Sequence, residues 1–195
     1  MKRKKDFYSK IIEKDNIRTA ILNASKRKRD RRNVKKVLNN MDYCVSLIED
    51  MLKNETYKPS PYQEMKIKDG VRKKERIIFK PRFFPDQVVH WALMLQLEPL
   101  LSKGMYELTC ASIKNKGIIY GARYLKKILV RDRKNTKYCL KLDVKKFYPS
   151  IDKEILKRKF RRIIKDRQVL NLIDTIIDSS KEGVPIRELY FAMVR

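Results

Sequence analysis

The amino-acid sequence predicts an α+β protein in which helices outnumber strands. Two stretches carry the β signal: residues 62–79 form two short runs around a turn, and residues 138–144 alternate apolar with polar side chains. The helical signal is apolar residues at intervals of three and four, which recur over residues 34–52, 85–101, 155–164 and 169–177.

Charge is the strongest feature of the composition. The chain has 195 residues, with 49 Lys plus Arg against 23 Asp plus Glu, and a formal net charge of +26. Such an excess predicts a polyanionic partner, and nucleic acid is favoured over a membrane because no long amphipathic segment pairs a basic face with Trp and Phe. On charge alone, an RNA-binding protein without catalytic chemistry would fit.

The remaining composition predicts a folded cytoplasmic protein without a membrane partner. Hydrophobic residues make up 43% of the chain, and we find neither an apolar run of about 18 residues nor a signal peptide. Cys44, Cys110 and Cys139 are far apart, so they predict neither a disulfide framework nor a zinc site.

Residues 1–36 are predicted to be a basic helical N-terminal extension. They hold fifteen Lys plus Arg against four Asp plus Glu. The extension could be an arm that contacts phosphates or a solvated charge run, and the sequence leaves both open. A helix over 34–52 should follow it and end at Asn54.

Residues 62–79 predict a two-stranded hairpin that turns at Lys68-Asp-Gly70. The return strand carries Arg72, Lys73, Lys74 and Arg76, which could lie over phosphates or protect a solvated edge. The helix over 85–101 follows, with Pro85 in its first turn, and His90 and Trp91 are expected to be packed helix residues.

The next segment, 110–121, leads into a helix that runs through Leu129. Lys114, Lys116 and the backbone near Gly117 could hold phosphates there.

Residues 138–144 predict a strand with one buried face, formed by Tyr138, Leu140, Leu142 and Val144. The opposite face ends in Asp143, which could be a turn former or a helix cap, or could hold a divalent cation against a polyphosphate. Two aromatic residues, Phe147 and Tyr148, follow before a Pro-Ser break. Asp152 is predicted to cap the next helix.

The run Leu-Asp-Val-Lys-Lys-Phe-Tyr-Pro-Ser-Ile-Asp, residues 142–152, resembles the first catalytic motif of reverse transcriptases, in particular those of diversity-generating retroelements and group II introns. The resemblance implies that Asp143 is a ligand of two catalytic Mg²⁺ ions and that the Val144 carbonyl is a further ligand. It also implies that Phe147 and Tyr148 lie at the nucleotide, where the Tyr148 ring would exclude a ribose 2′-hydroxyl.

Two further stretches, Arg76-Ile-Ile-Phe-Lys-Pro81 and Phe84-Pro-Asp-Gln-Val-Val-His90, resemble the fingers motif of the same family. By that resemblance Arg76 and a lysine, either Lys68, Lys73 or Lys74, would bind the triphosphate, and Lys74 is the favoured match. Lys114, Lys116 and Gly117 would contact the template. The implied organisation is an extension over 1–36, a fingers-like region over 37–130 and a partial palm over 131–195.

Gly183-Val-Pro-Ile186 resembles the next motif of the family, which places Gly183, Pro185 and Ile186 near the primer and the templating base. The family would continue Gly-Asn-x-Thr-Ser-Gln and later reach Tyr-x-Asp-Asp, whereas this chain continues from Arg187 with a different sequence. A reading frame shifted by one nucleotide can restore the family continuation. The expectation is therefore a truncated enzyme, inactive alone, with an exposed apolar edge at residues 138–144.

The expected function is RNA-templated DNA synthesis by a right-hand polymerase with fingers and an incomplete palm. Its partners would be an RNA template with a DNA primer or an RNA–DNA hybrid, a dNTP and Mg²⁺. The alternative is a non-catalytic RNA-binding protein, or a degenerate polymerase that retains template binding.

Overall fold

The structure is a computed structural model that describes residues 4–69, 74–103, 105–110, 113 and 115–180. It has an α+β fold, as expected, and the described residues are mostly helical with one two-stranded sheet. Within those ranges no helix combines the length and apolar character needed to cross a membrane.

The described residues form eight α-helices and one antiparallel hairpin. In chain order they are α1 (Tyr8–Ile12), α2 (Lys14–Ser25), α3 (Arg32–Asn39), α4 (Met41–Lys53), β1 (Gln63–Asp69), β2 (Lys74–Lys80), α5 (Val88–Leu101), α6 (Ile118–Arg131), α7 (Lys153–Ile163) and α8 (Arg167–Asp178). A kinked turn, Phe83–Gln87, in which the Phe84 backbone is extended, leads into α5.

The centre of the core is the packing of α2 against α5. Ile17, Ala20 and Ile21 of α2 are fully buried. A polar contact crosses the same interface, because the Asn16 amide donates to the Ala92 carbonyl at 3.0 Å and accepts from the Gln96 amide at 2.7 Å. Helices α1 and α2, which lie within the predicted extension 1–36, thus contribute their apolar faces to the common core.

The N-terminal segment is also fixed to the last described helix. The Asp166 carboxylate accepts from the backbone N–H groups of Phe7 and Tyr8 at 3.2 and 3.0 Å, and it caps α8 by accepting from the Val169 N–H. Lys4 pairs with the backbone around Ile164. One carboxylate thus stabilises two helix starts that are far apart in sequence.

The single helix predicted over 34–52 is two helices. The helix is interrupted between α3 and α4 at Asn40, whose φ of −120° and ψ of 44° are not helical. The Asn40 side chain donates to the Lys36 carbonyl at the end of α3. Helical spacing continues across the break because both helices face the same core, so the periodicity did not reveal it. The predicted end at Asn54 is confirmed.

The predicted hairpin is confirmed, but its predicted turn at Lys68-Asp-Gly70 is wrong for Lys68 and Asp69, which pair with Glu75 and Lys74 at the end of the ladder. Its ladder runs from the Gln63–Lys80 pair to the Asp69–Lys74 pair, and the turn itself lies outside the described residues. Ile77 and Phe79 are about half exposed, so this side of the ribbon is open to solvent.

The helix predicted over 85–101 is found as α5, which begins at Val88, so Pro85 lies in the preceding turn. His90 is buried, as predicted. The prediction that Trp91 is packed in the core is wrong, because its side chain is 39% exposed. Residues 88, 89, 92 and 93 already fill the side of α5 that faces the core.

Both C-terminal helices form as predicted. The Asp152 carboxylate accepts from the Ile155 N–H at 2.9 Å and caps α7, which confirms its predicted role. Leu156 and Phe160 are buried, whereas Ile155, predicted on the same apolar face, is 46% exposed.

Candidate nucleic-acid interface

The candidate site lies in a part of the chain that contributes nothing to the core. Between Ser102 and Ile155, none of the described residues is buried. Helix α6 lies in the middle of this stretch and buries none of its fourteen residues. The stretch is therefore surface throughout its described length.

Residues 138–144 do not form the predicted half-buried strand. They belong to no helix or strand, and Tyr138, Leu140 and Leu142 are 94%, 81% and 81% exposed. A strand requires a neighbour for its backbone N–H and C=O groups, and the only strands that pair among the described residues are β1 and β2. The four side chains predicted to form a buried face are therefore exposed, and that prediction is wrong.

Asp143 lies in this exposed segment, and it makes no hydrogen bond or ion pair with another described residue. Val144, whose carbonyl is the second predicted ligand, is 61% exposed. The carboxylate is therefore open to solvent and to a ligand. It neither caps a helix nor closes a turn, the two structural roles considered for it.

Phe147 and Tyr148 lie in the turn that follows, over residues 145–150. Their rings meet edge to face, with 5.4 Å between centroids and 75° between planes. The turn is closed by the Ser150 N–H, which donates to the Lys146 carbonyl at 3.0 Å, and by the Ser150 hydroxyl, which donates to the Phe147 carbonyl at 2.9 Å. This turn places an aromatic pair close in sequence to the free carboxylate.

Lys116, a predicted template contact, is already engaged within its own loop. Its ammonium donates to the Glu107 carbonyl at 2.6 Å and lies 5.4 Å from the centre of the Tyr120 ring. Gly117 precedes α6 in extended backbone, and a Cβ there would meet nothing within 4 Å, so the fold of the described chain does not require glycine. Lys114 lies outside the described residues.

The structure describes the other predicted site residues only in part. Lys74 and Arg76 belong to β2, where they pair with Asp69 and Ile67, but their side chains lie outside what the structure describes. Gly183, Pro185 and Ile186 lie entirely outside the described residues.

The electrostatics of residues 115–150 differ from those of the core, and we call this stretch the basic segment. It contains eleven Lys plus Arg against two Asp. None of these cations forms an ion pair with a described residue, whereas core helices contain pairs such as Arg18–Asp42 and Lys157–Asp178. The core helices therefore neutralise part of their own charge, and the basic segment does not.

Sequence reasoning missed the basic face of α6, which carries Arg123, Lys126, Lys127 and Arg131. The signal was present, because Arg123 is three and four residues from Lys126 and Lys127, and Arg131 is four residues from Lys127. These spacings place all four on one side of a helix, opposite the apolar side that contains Leu125. The sequence prediction named only the lysines of the loop before α6 as phosphate contacts.

The described residues supply only part of a site for two Mg²⁺ ions. Asp143 and the Val144 carbonyl would supply one carboxylate and one neutral oxygen, and no group of three His, Cys, Asp or Glu side chains comes together in the described ranges. Two closely spaced Mg²⁺ ions need several carboxylates to balance their charge. No catalytic step follows from this arrangement.

No family model matches the chain, and no curated protein matches it. The resemblance to reverse transcriptases therefore rests on the motifs in the sequence.

Proposed function

We propose that this chain binds RNA, or an RNA–DNA hybrid, through the basic segment. The observation that carries the proposal is the eleven exposed or half-exposed Lys and Arg side chains of residues 115–150 without an ion pair among described residues. Concentrated positive charge without internal partners attracts a polyanion and releases its counterions on binding.

Aromatic side chains in the same segment support nucleic acid over other polyanions. Tyr138 is almost fully exposed, and Phe147 and Tyr148 form a ring pair in the turn after Asp143. Unpaired bases stack on exposed rings, while phosphates are bound by the cations around them. A polyanion without bases would use the charges and leave the rings unoccupied.

At the finer level, we propose that the chain belongs to the reverse transcriptases, with a fingers-like region and an incomplete palm, and that it works in the cytoplasm. The support is the motif at 142–152 together with those at 76–90 and 183–186. Asp143 would serve the Mg²⁺ ions, Lys74, Arg76, Phe147 and Tyr148 the dNTP, and Gly117 and Ile186 the template and primer.

The binding proposal is tested by the salt dependence of RNA affinity. Replacing Lys126 and Lys127 together with Ala removes two charges from α6 without touching the core. If both contact phosphates, the slope of log K against log salt should fall by about 1.4 for a single strand. The matched control is Arg158→Ala with Arg162→Ala on α7, both exposed, which should leave the slope unchanged. Equal effects of the two pairs would contradict the proposal.

The Asp143→Asn variant distinguishes the polymerase hypothesis from the alternative, that the chain is a non-catalytic RNA-binding protein. A polymerase that retains part of its nucleotide site should bind a dNTP more tightly with Mg²⁺, and Asp143→Asn should abolish that gain. A non-catalytic protein should bind RNA equally well with either residue and show no Mg²⁺-dependent dNTP binding.

The 195-residue chain itself is expected not to extend a primer, because its described residues hold one candidate carboxylate where two metal ions need several. Primer extension assays on the purified chain check this. DNA synthesis that is lost on Asp143→Ala would overturn the expectation.

A further inference from the structure

A cavity of about 270 Å³ is lined by residues outside the basic segment. It is lined by Asn33 at the start of α3, Gln63 at the start of β1, and Arg82, Phe83 and Phe84 between β2 and α5. Three separate parts of the chain therefore meet around it.

The wall formed by residues 82–84 is held firmly. The Gln87 backbone N–H donates to the Arg82 carbonyl at 3.1 Å, and the Gln87 side-chain amide donates to the Pro81 carbonyl at 2.8 Å. The Lys28 ammonium donates to the side-chain oxygen of Gln87 at 2.6 Å. The Phe83 ring is 5% exposed. The aromatic wall is thus fixed before any ligand arrives, which lowers the entropy cost of binding.

The polar side chains that line the cavity are unused. Asn33, Gln63 and Arg82 are exposed, and their side chains make no hydrogen bond or ion pair with the residues that the structure describes. Together they offer two amides, each with a donor and an acceptor, and a guanidinium with five donors.

A basic loop lies next to the cavity. The loop, residues 26–31, reads Lys-Arg-Lys-Arg-Asp-Arg, and Arg32 then precedes Asn33 in the first turn of α3. The loop is anchored to the cavity wall through the contact of Lys28 with Gln87.

We propose that this cavity takes one unstacked nucleobase of a single-stranded nucleic acid, with the adjoining phosphates on Arg82 and the basic loop. A simple anion would use Arg82 but not the acceptors of the two amides, whereas a nucleobase presents both donors and acceptors along its edge and a flat face to aromatic side chains. The volume admits a single nucleotide and excludes a base-paired duplex. The inference rests on the proposed binding of nucleic acid and adds a site for a base.

The test compares two fluorescent strands of about twelve nucleotides that carry the same number of phosphates. One has bases throughout, and the other has abasic riboses. The full chain should bind the base-containing strand about tenfold more tightly in fluorescence anisotropy, the effect expected for one well-stacked base.

Two double variants assign that preference to the cavity. Asn33→Ala with Arg82→Gln should lower the ratio of the two affinities at least fivefold. The control, Asn39→Ala with Arg167→Gln, makes the same changes at exposed positions outside the cavity and should keep the ratio. Since all four side chains are exposed, both variants should unfold at the same denaturant concentration as the parent.

The outcomes separate the two proposals. Equal affinity of the parent for both strands, or a ratio that the cavity variant does not change, would overturn the base site while leaving salt-dependent binding intact. Failure to bind either strand at low salt would overturn the proposed function itself.

Discussion

Asp143 and Asp152 show how surroundings decide the role of one residue type. Asp152 precedes α7, and its carboxylate accepts from the Ile155 N–H at 2.9 Å. Asp143 has no partner among the described residues and projects from an exposed segment. One carboxylate is used for folding, and the other is available for function.

We expect the two aspartates to differ in stability measurements. Asp152→Ala removes a helix cap and should lower the free energy of unfolding by about 1 kcal/mol. Asp143→Ala should change it by less than about 0.5 kcal/mol, as is usual for an exposed side chain without contacts. Denaturant unfolding of both variants checks this, and equal losses would mean that Asp143 has a structural role.

Tyr8 gives a prediction for alkaline pH. Its hydroxyl donates to the Leu52 carbonyl at 2.5 Å, and burial, with smaller effects of Glu55 and Asp166, raises the pKa of Tyr8 to about 12. The unfolded chain loses this proton near pH 10, so the contribution to stability is complete below pH 10 and is lost as the pH rises toward 12.

The matched comparison is Tyr8→Phe, which keeps the ring but cannot ionise. The stability of the parent should fall more steeply than that of Tyr8→Phe between pH 10 and pH 12, as followed by urea unfolding at several pH values. Parallel curves would show that Tyr8 ionises equally easily in the folded and unfolded chains.

At the scale of elements, α2 and α6 are both helices with apolar and charged residues, yet their surroundings are opposite. Ile17 and Ile21 of α2 are fully buried against α5, while Leu125 of α6 is 54% exposed. Local pattern makes each helix amphipathic, and only tertiary packing decides whether its apolar side is covered.

Truncation of one apolar residue in each helix should expose this difference. Ile17→Ala leaves a cavity in a full core and should cost about 2–5 kcal/mol. Leu125→Ala removes a side chain that contacts mostly water and should cost less than about 0.5 kcal/mol. Urea unfolding measures both, and a large loss for Leu125→Ala would show that α6 is packed in solution.

The elements that sequence could predict are those whose signals are local. The hairpin at 63–80, the cap at Asp152 and helices α5 to α8 follow from turn residues, capping residues and helical spacing. The segment at 138–144 could not be predicted in this way, because alternation shows that a strand is possible and does not supply the neighbour that completes it. In residues 1–36 the prediction followed the excess of basic residues, and it did not identify buried positions such as Ile17 and Ile21.

The candidate site was predicted unevenly. The motif around Asp143 identified a carboxylate that the structure leaves exposed. The pocket at Asn33 and Arg82 escaped notice because its walls come from parts of the chain about fifty residues apart, and no sequence pattern links them.

For the molecule as a whole, charge and burial are divided along the chain. Among the described residues, the helices and the turns beside them contain the buried side chains and the ion pairs, whereas the eleven cations of the basic segment are neither buried nor ion-paired. A net charge of +26 costs stability through self-repulsion, so a polyanion bound to the basic segment should raise the unfolding temperature.

The most direct test of the account is lysine footprinting by acetylation and mass spectrometry, with and without a single-stranded RNA at low salt. We predict protection of the lysines in the basic segment, including Lys126, Lys127 and Lys141, while the exposed Lys10 and Lys165 react equally in both samples. Protection of Lys10 and Lys165 with none in residues 115–150 would contradict the assignment of this segment as the nucleic-acid interface.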